Sequence, residues 1–153
     1  MVDIHIASNT NVAKITIHSV PDKPGIAAEI FGKLGNKGFN VELVVSGIAY
    51  KGKVDVSFAV AENELDPIHT LLEKIKDEIG AERVSHISNI ALVSIAGHQL
   101  VQTPGMAGRM FDALSREGVN IDTISTSMSS VTCMVPQDKA KEALDALRKE
   151  FQA

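Results

Sequence analysis

The chain has 153 residues, of which 44% are hydrophobic and 22% charged, so it is long enough for one medium-sized domain or two small ones. Its net charge of −4, its scattered Lys and Arg residues and its aromatic content of 4% argue against a nucleic-acid partner or an anionic membrane surface. A single cysteine, Cys133, excludes an internal disulfide, no signal peptide or membrane-spanning run is visible, and we therefore expect a cytoplasmic protein.

The first half of the chain alternates between strand and helix patterns. Residues 2–7 and 13–20 alternate apolar and polar side chains, which predicts two β-strands. Two prolines predict a turn over residues 21–25, and apolar side chains at helical spacing follow from Ile26 until Gly38 ends the helix. Further along, the pattern predicts a strand over 39–49, a turn over 50–53, a strand over 54–60, a helix over 64–79 and a short strand over 83–87.

The second half repeats the first at an interval of 80 residues. Pro24-Gly25 becomes Pro104-Gly105, Phe31 becomes Phe111, and Asn40 becomes Asn120. The pattern predicts a strand over 90–96, a loop over 98–103, a helix over 105–117, strands over 119–126 and 130–135, and a helix over 138–151. The chain is therefore a duplicated unit.

Each copy follows the order βαββαβ, which predicts an α+β fold of two ferredoxin-like domains, each an antiparallel sheet with two helices on one face. The second copy lacks a fourth strand, whereas residues 2–7 form a strand with no place in the first copy. We expect this strand to complete the second sheet. The first domain, residues 13–88, is then inserted in the second, residues 1–10 plus 89–153, and open sheet edges favour a homodimer.

The loop at residues 20–27, followed by Phe31, Gly38 and Asn40, resembles the ACT domain family of amino-acid sensors. More narrowly, residues 118–127 (GVNIDTISTS) resemble the sequence GINIEMISTS in the regulatory half of aspartate kinase, and the whole chain is similar to that half. The resemblance implies an allosteric part that senses lysine or threonine, through an effector held between the loop of one ACT unit and the strand start of another. Some members of the family make this part as a separate subunit.

The chemistry of a free amino acid indicates which residues could bind it. Backbone N–H groups at the start of a helix suit a carboxylate, and Asp22 suits an ammonium group. The predicted effector site comprises Asp22, Pro24, Gly25, Ile26, Ala27, Asn40, Ser46, Asn120 and Ile121. The alternatives are that Pro-Gly only forms a turn, that Asp22 caps the helix, and that the asparagines only open strands near the left-handed region.

A second, less well equipped site is predicted in the second copy, where Gln102 replaces Asp22. Its candidate residues are Gln102, Thr103, Gly105, Met106, Ala107, Ser125, Thr126 and Ser127, the last three with a plain edge strand as the alternative. The chain also departs from the resembled family: Ser46-Gly47-Ile48 stands for Gln-Asn-Val, and Met128 for Glu. These changes put the identity of the effector in doubt.

We expect no catalytic residue, metal or cofactor on this chain, because the kinase domain of the resembled family, which would use ATP and Mg, is absent from it. The five histidines are dispersed, which argues against a zinc site. The expected partners are an amino acid, a second copy of the chain and a kinase domain or catalytic subunit. Two other functions stay open: an ACT pair that senses an amino acid for another enzyme, and a structural dimerisation module.

Overall fold

The structure, a computed structural model, describes residues 4–152 and is an α+β fold, as predicted. The strands are β1 (His5–Pro21), β2 (Glu42–Ser46), β3 (Lys53–Ala61), β4 (Arg83–Ala96), β5 (Thr123–Thr126) and β6 (Ser130–Pro136). The helices are α1 (Ile26–Asn36), α2 (Leu65–Ile79), α3 (His98–Gln102), α4 (Met106–Arg116) and α5 (Ala140–Phe151). The strand pairs β1–β3, β2–β3, β4–β6 and β5–β6 are antiparallel.

The chain divides into two compact units. One unit is Val12–Ser88, and the other joins the described residues up to Asn11 with those from Asn89 onward. The strand order is β2-β3-β1-β4 in the first unit and β5-β6-β4-β1 in the second, because β1 and β4 each contribute residues to both. Each unit therefore contains two strands of its own, which form a hairpin, and one part each of β1 and β4, whose remaining residues belong to the other unit.

The strand boundaries differ from the prediction in two places. Two predicted strands, 2–7 and 13–20, belong to the single strand β1, and 83–87 and 90–96 belong to β4; Val2 and Asp3 lie outside the described residues. The connecting residues contain neither Pro nor Gly, so nothing forces a turn, and in β4 a left-handed Asn89 with φ of 60° absorbs the irregularity.

Two other predicted elements are also corrected. The long strand over 39–49 is only β2, since residues 47–49 are exposed beyond the last ladder pair with β3. The predicted loop over 98–103 contains α3, because Gln99, Leu100 and Gln102 favour helix and the stop comes only at Pro104.

The core of the Val12–Ser88 unit lies between one face of its sheet and its two helices. Alternate side chains of β1, namely Ala13, Ile15 and Ile17, are fully buried, whereas Thr16 and His18 between or beside them are half-buried on the other face. The helices contribute Ile26, Ile30 and Leu34 from α1 and Leu65, Ile68, Leu72, Ile75 and Ile79 from α2. The period of two in β1 and of three to four in the helices therefore directs both apolar faces to one core.

The other unit has an equivalent core. Met106, Met110 and Leu114 of α4 occupy the positions 80 residues after Ile26, Ile30 and Leu34, and α5 adds Ala143, Leu147 and Phe151. Cys133 of β6 lies in this core as a free cysteine, and burial raises the pKa of its thiol to about 12. The thiol is therefore neutral and serves as a small apolar side chain.

An ion-pair network joins α4 to α5 at the surface. Arg109 donates from Nε to the Glu150 carboxylate at 3.0 Å and from Nη2 to the Glu150 backbone oxygen at 2.9 Å, and Arg116 reaches the same carboxylate at 3.2 Å. These contacts, led by Arg109, hold the pKa of Glu150 below its usual value. The Arg109 guanidinium also lies 4.8 Å from the ring centroid of Phe151. The last helix is thus fixed by both its apolar face and its charged end.

Gly80 at the end of α2 supports a stability prediction. Its φ is 78°, and a Cβ added there would lie 3.0 Å from Cγ of Pro21. Gly80→Ala should lower the free energy of unfolding by about 2–4 kcal/mol, because left-handed strain and overpacking act together. Gly38, at φ of 82° with nothing within 4 Å of such a Cβ, is the control, and Gly38→Ala should cost only about 1–2 kcal/mol in urea unfolding. Equal losses in the two variants would contradict the contact with Pro21.

Candidate binding site

The loop that precedes α1 is fixed by its backbone and leaves an acidic side chain free. The Asp22 amide donates to the Gly52 carbonyl at 2.9 Å, and the Lys23 amide donates to the Pro21 carbonyl at 3.1 Å. The Asp22 side chain is exposed, and among residues 4–152 no hydrogen bond or ion pair engages its carboxylate. No side chain caps α1, so the alternative role of Asp22 as a helix cap is wrong.

Of the three backbone donors predicted at the start of α1, two are available. Gly25 is the N-cap residue with φ of 87°, and neither its amide nor that of Ala27 donates to a backbone carbonyl within the described part of the chain. The Ile26 amide, in contrast, donates to the Lys23 carbonyl at 3.3 Å, because the tight turn brings that carbonyl back under the helix. The Ile26 side chain is buried, so Ile26 anchors the loop to the core.

The equivalent loop before α4 has a different shape. The Thr103 amide closes α3 by donating to the Gln99 carbonyl at 2.8 Å, and Gly105 then caps α4 with φ of 87°. Among residues 4–152, the amides of Gly105, Met106 and Ala107 donate to no backbone carbonyl, so all three are available at this helix start. Gln102 and Thr103 are exposed, and both are neutral. The second loop therefore has the better set of amide donors but no acidic neighbour.

A cavity of about 470 Å³ lies at the other end of α4. It is lined by Phe111, Ser115, Gly118, Val119, Asn120 and Ile121, and it includes two of the predicted effector residues. The cavity lies where the chain turns away from the end of α4. Gly118 makes this turn with a φ of 70°, and the Val119 amide donates to the Leu114 carbonyl at 3.0 Å. The lining has three apolar side chains, one hydroxyl and one amide, and none of its residues is charged.

The structure therefore separates the predicted features within each unit. Gly105 precedes the first residue of α4, whereas Asn120 and Ile121 follow its last, and a helix of 11 residues is about 16 Å long. The amides at the start of α4, which are predicted to bind a carboxylate, and the cavity are thus at opposite ends of one helix. Asn40 and Asn120 are both exposed, and neither has a positive φ, so the alternative that they sit in the left-handed region is wrong.

The remaining predicted residues lie on or beside edge strands. Ser46 ends β2 opposite Val56, and Ser125 pairs with Thr132 across the β5–β6 hairpin. Thr126 is exposed, and the Ser127 hydroxyl is 2.8 Å from the Ser130 hydroxyl. The Ser127 hydroxyl is therefore already engaged in closing the hairpin, whereas Thr126 faces solvent.

A second cavity, of about 260 Å³, was not predicted. Its lining is Ser19, Gly47, Ile48, Tyr50, Lys53, Val54 and Asp55. It arises from a bulge in β1, where Ser19 has φ of 56° and its amide donates to the Asp55 carboxylate at 2.9 Å. Nothing in the alternating sequence of β1 indicates this bulge. The cavity adjoins the hairpin turn that also binds the Asp22 amide through Gly52.

Within residues 4–152, no three or more His, Cys, Asp or Glu side chains form a group that could hold a metal ion. In the same part of the chain, every helix is too short or too polar to span a bilayer.

Comparison with known proteins identifies the family. Residues 13–80 and 93–151 each match the ACT domain. The aspartate kinase of Pseudomonas fluorescens is 37% identical over 96% of this chain, which spans 36% of that relative. The structure of aspartokinase alpha and beta subunits has a TM-score of 0.86 at 30% identity and covers 97% of both chains. The regulatory subunit of Thermus thermophilus aspartate kinase, in its ligand-free form, has a TM-score of 0.85 at 32% identity, over 95% of this chain and 96% of its own. The chain therefore belongs to the aspartate kinase family and corresponds to its regulatory part, a pair of ACT domains.

Proposed function

We propose that this chain is the allosteric sensor through which an end-product amino acid, lysine or threonine, controls an aspartate kinase in the cytoplasm. The cavity lined by Asn120 and Ile121 is the observation that carries the proposal, since it offers neutral polar and apolar groups in a space suited to a small ligand. The chain itself would bind no ATP or Mg and would act on a kinase domain or catalytic subunit, as the similarity to aspartokinase alpha and beta subunits suggests.

Each compact unit would be one sensing domain. The proposed first domain is residues 13–88, inserted in a second domain of residues 1–10 plus 89–153, and the division at Asn11/Val12 and Ser88/Asn89 supports this assignment. Because the Gly25 and Ala27 amides belong to one unit and the cavity at Asn120 belongs to the other, neither unit alone supplies both parts of the site. We therefore infer that a homodimer, paired along exposed sheet edges, completes the site with a second copy of the chain.

Each chemical group of the amino acid would be bound by a different set of residues. The amides of Gly25 and Ala27 would donate hydrogen bonds to the carboxylate, with Gly25 allowing close approach, and Asp22 would bind the ammonium group. Asn40 and Ser46 would serve as peripheral polar contacts. The cavity at Asn120 and Ile121 would enclose the side chain. The loop at Gln102–Gly105 and the hydroxyls of Ser125 and Thr126 would form a weaker second site.

The lining of the cavity favours threonine over lysine. Threonine presents one hydroxyl and one methyl group, which match the Ser115 and Asn120 polar groups and the Phe111 and Ile121 apolar surfaces. The ammonium group of a lysine side chain would find no carboxylate in this lining and so would gain no charge-assisted hydrogen bond there. Met128 is exposed and stands where the resembled family has Glu, so this position also supplies no carboxylate for the ammonium group of a lysine side chain.

Binding would regulate the kinase only if the ligand prefers one arrangement of the regulatory domains. A coupling free energy of about 1–3 kcal/mol, typical of allosteric proteins, changes affinity about 5- to 150-fold. A linked kinase would respond to the shifted population of arrangements rather than to a direct contact with the amino acid.

Calorimetric titration of the chain tests the proposal. Threonine should bind saturably and more tightly than lysine. Asn120→Ala should lower the affinity for threonine by about tenfold, the cost of one or two lost hydrogen bonds. Asn63→Ala, which changes an exposed asparagine before α2, is the matched control and should leave the affinity unchanged. If lysine, threonine and the other free amino acids all fail to produce heat of binding, the sensing function is refuted and the structural dimerisation module is left.

A further inference from the structure

Two histidines that are 17 residues apart meet on the surface of the Val12–Ser88 unit. His69 lies on α2 and His86 on β4, and their Nδ1 atoms are 2.9 Å apart. The rings are perpendicular, with centroids 4.9 Å apart. His86 is exposed and His69 is partly so, which leaves the pair open to ions from solvent. Neither the proposed effector loop nor either cavity includes these residues.

A carboxylate fixes the orientation of one ring. His69 Nε2 lies 3.4 Å from Oε1 of Glu73, one turn further along α2, and Lys76 holds the other oxygen of Glu73 at 3.1 Å. The tautomer of His69 with its proton on Nε2 is the one that Glu73 favours, and it presents the lone pair of Nδ1 towards His86. A carboxylate that orients a histidine in this way is the usual support of a metal ligand.

The separation of the two nitrogens fits a pair of adjacent metal ligands. With metal–nitrogen bonds of about 2.1 Å, two ligands at a right angle are about 3.0 Å apart, and two at a tetrahedral angle are about 3.4 Å apart. The observed 2.9 Å matches the right angle of octahedral or square-planar coordination. Ions such as Ni²⁺ therefore need no change in the distance between the nitrogens, only a rotation of the rings that turns both lone pairs towards the ion, whereas Zn²⁺ also requires the nitrogens to separate by about half an ångström.

We propose that His69 and His86 form a surface site for a nitrogen-preferring divalent transition-metal ion, with water in the remaining coordination positions and Glu73 as the positioning residue. The metal would replace the single proton that the N···N contact now requires. Since one ligand is on α2 and the other on β4, the bound ion would link the helix to the strand and stabilise this unit.

Titration of the untagged chain with Ni²⁺ tests the site by calorimetry. One ion per chain should bind saturably, and His86→Ala and His69→Ala should each weaken that binding at least tenfold. Glu73→Ala should weaken it about tenfold through loss of orientation. His98→Ala, which removes an exposed histidine from the other unit, should bind as the unaltered chain does, and Mg²⁺ should not compete, because it prefers oxygen ligands.

Thermal unfolding supplies an independent measurement. Ni²⁺ at a concentration well above its Kd should raise the unfolding temperature of the unaltered chain and of His98→Ala, but not that of His86→Ala. His86 is exposed on the surface, so circular dichroism of His86→Ala should show an intact fold. Unchanged Ni²⁺ affinity in His86→Ala, or no saturable binding by the unaltered chain, would overturn the proposal and leave the pair as a hydrogen bond only.

Discussion

Asp22→Ala should weaken binding of threonine by about 10- to 100-fold while the fold survives. The loss corresponds to one charge-assisted hydrogen bond of about 1.5–3 kcal/mol to the ligand's ammonium group. The fold should survive because the loop is fixed by the Asp22 amide, which the substitution leaves bonded to Gly52, and because the exposed carboxylate has no partner among residues 4–152. Calorimetric titration at fixed salt concentration measures the change.

Gln102→Ala is the matched control, since Gln102 is the residue 80 positions after Asp22. It is exposed and neutral, so its replacement should change the affinity less than threefold. Lys23→Ala tests whether any change of charge in the loop has the same effect; we expect it not to weaken binding. Equal losses from Asp22→Ala and Gln102→Ala would refute the assignment of the ammonium contact to the first loop.

Phe58→Ala should lower the free energy of unfolding by about 3–5 kcal/mol, the usual cost of emptying a large buried position. Phe58 is fully buried on β3, and its ring meets that of Phe31 edge to face, with centroids 5.3 Å apart and planes at 77°. Removal of the ring therefore leaves a cavity between the sheet and α1. Urea unfolding followed by far-ultraviolet circular dichroism measures the loss.

Tyr50→Ala provides the contrast, because Tyr50 is 73% exposed on the β2–β3 hairpin and should contribute less than about 0.5 kcal/mol. Phe58→Leu, which keeps most of the apolar volume, should fall between the two. If Phe58→Ala costs no more than Tyr50→Ala, the sheet and α1 are not packed as described.

The helices and their buried faces could be predicted because the information is local. Apolar spacing from Ile26 to Leu34 recurs from Met106 to Leu114, and glycines follow at Gly38 and Gly118 where each helix ends. Strand ends were predicted less well. A strand that passes from one unit into the other needs no turn. The residue at which β1 or β4 changes unit therefore depends on tertiary contacts, which no local sequence pattern records.

The candidate site was predictable in its residue types but not in its geometry. Asn120 and Ile121, which the family resemblance implies as effector contacts, line a cavity, whereas the Ile26 amide donates to the Lys23 carbonyl because of the turn geometry. The His69–His86 pair could not be found from spacing, because a helix and a strand bring the rings together across 17 residues. Spacing along the chain identifies only histidines that are close in sequence, so it gives no signal for this pair.

The division of the chain also determines the order in which its halves can be finished during synthesis. The Val12–Ser88 unit is contiguous, so it can fold as soon as its last residue has left the ribosome. The other unit joins residues up to Asn11 with those from Asn89 onward, so its segment of β1 stays unpaired with its own unit until β4 has been translated, and the unit is completed only when α5 follows. Its sheet closes a loop of about 80 residues, and such distant pairing slows folding. We expect newly made chains to pass through a stage with the inner half folded and the outer half open.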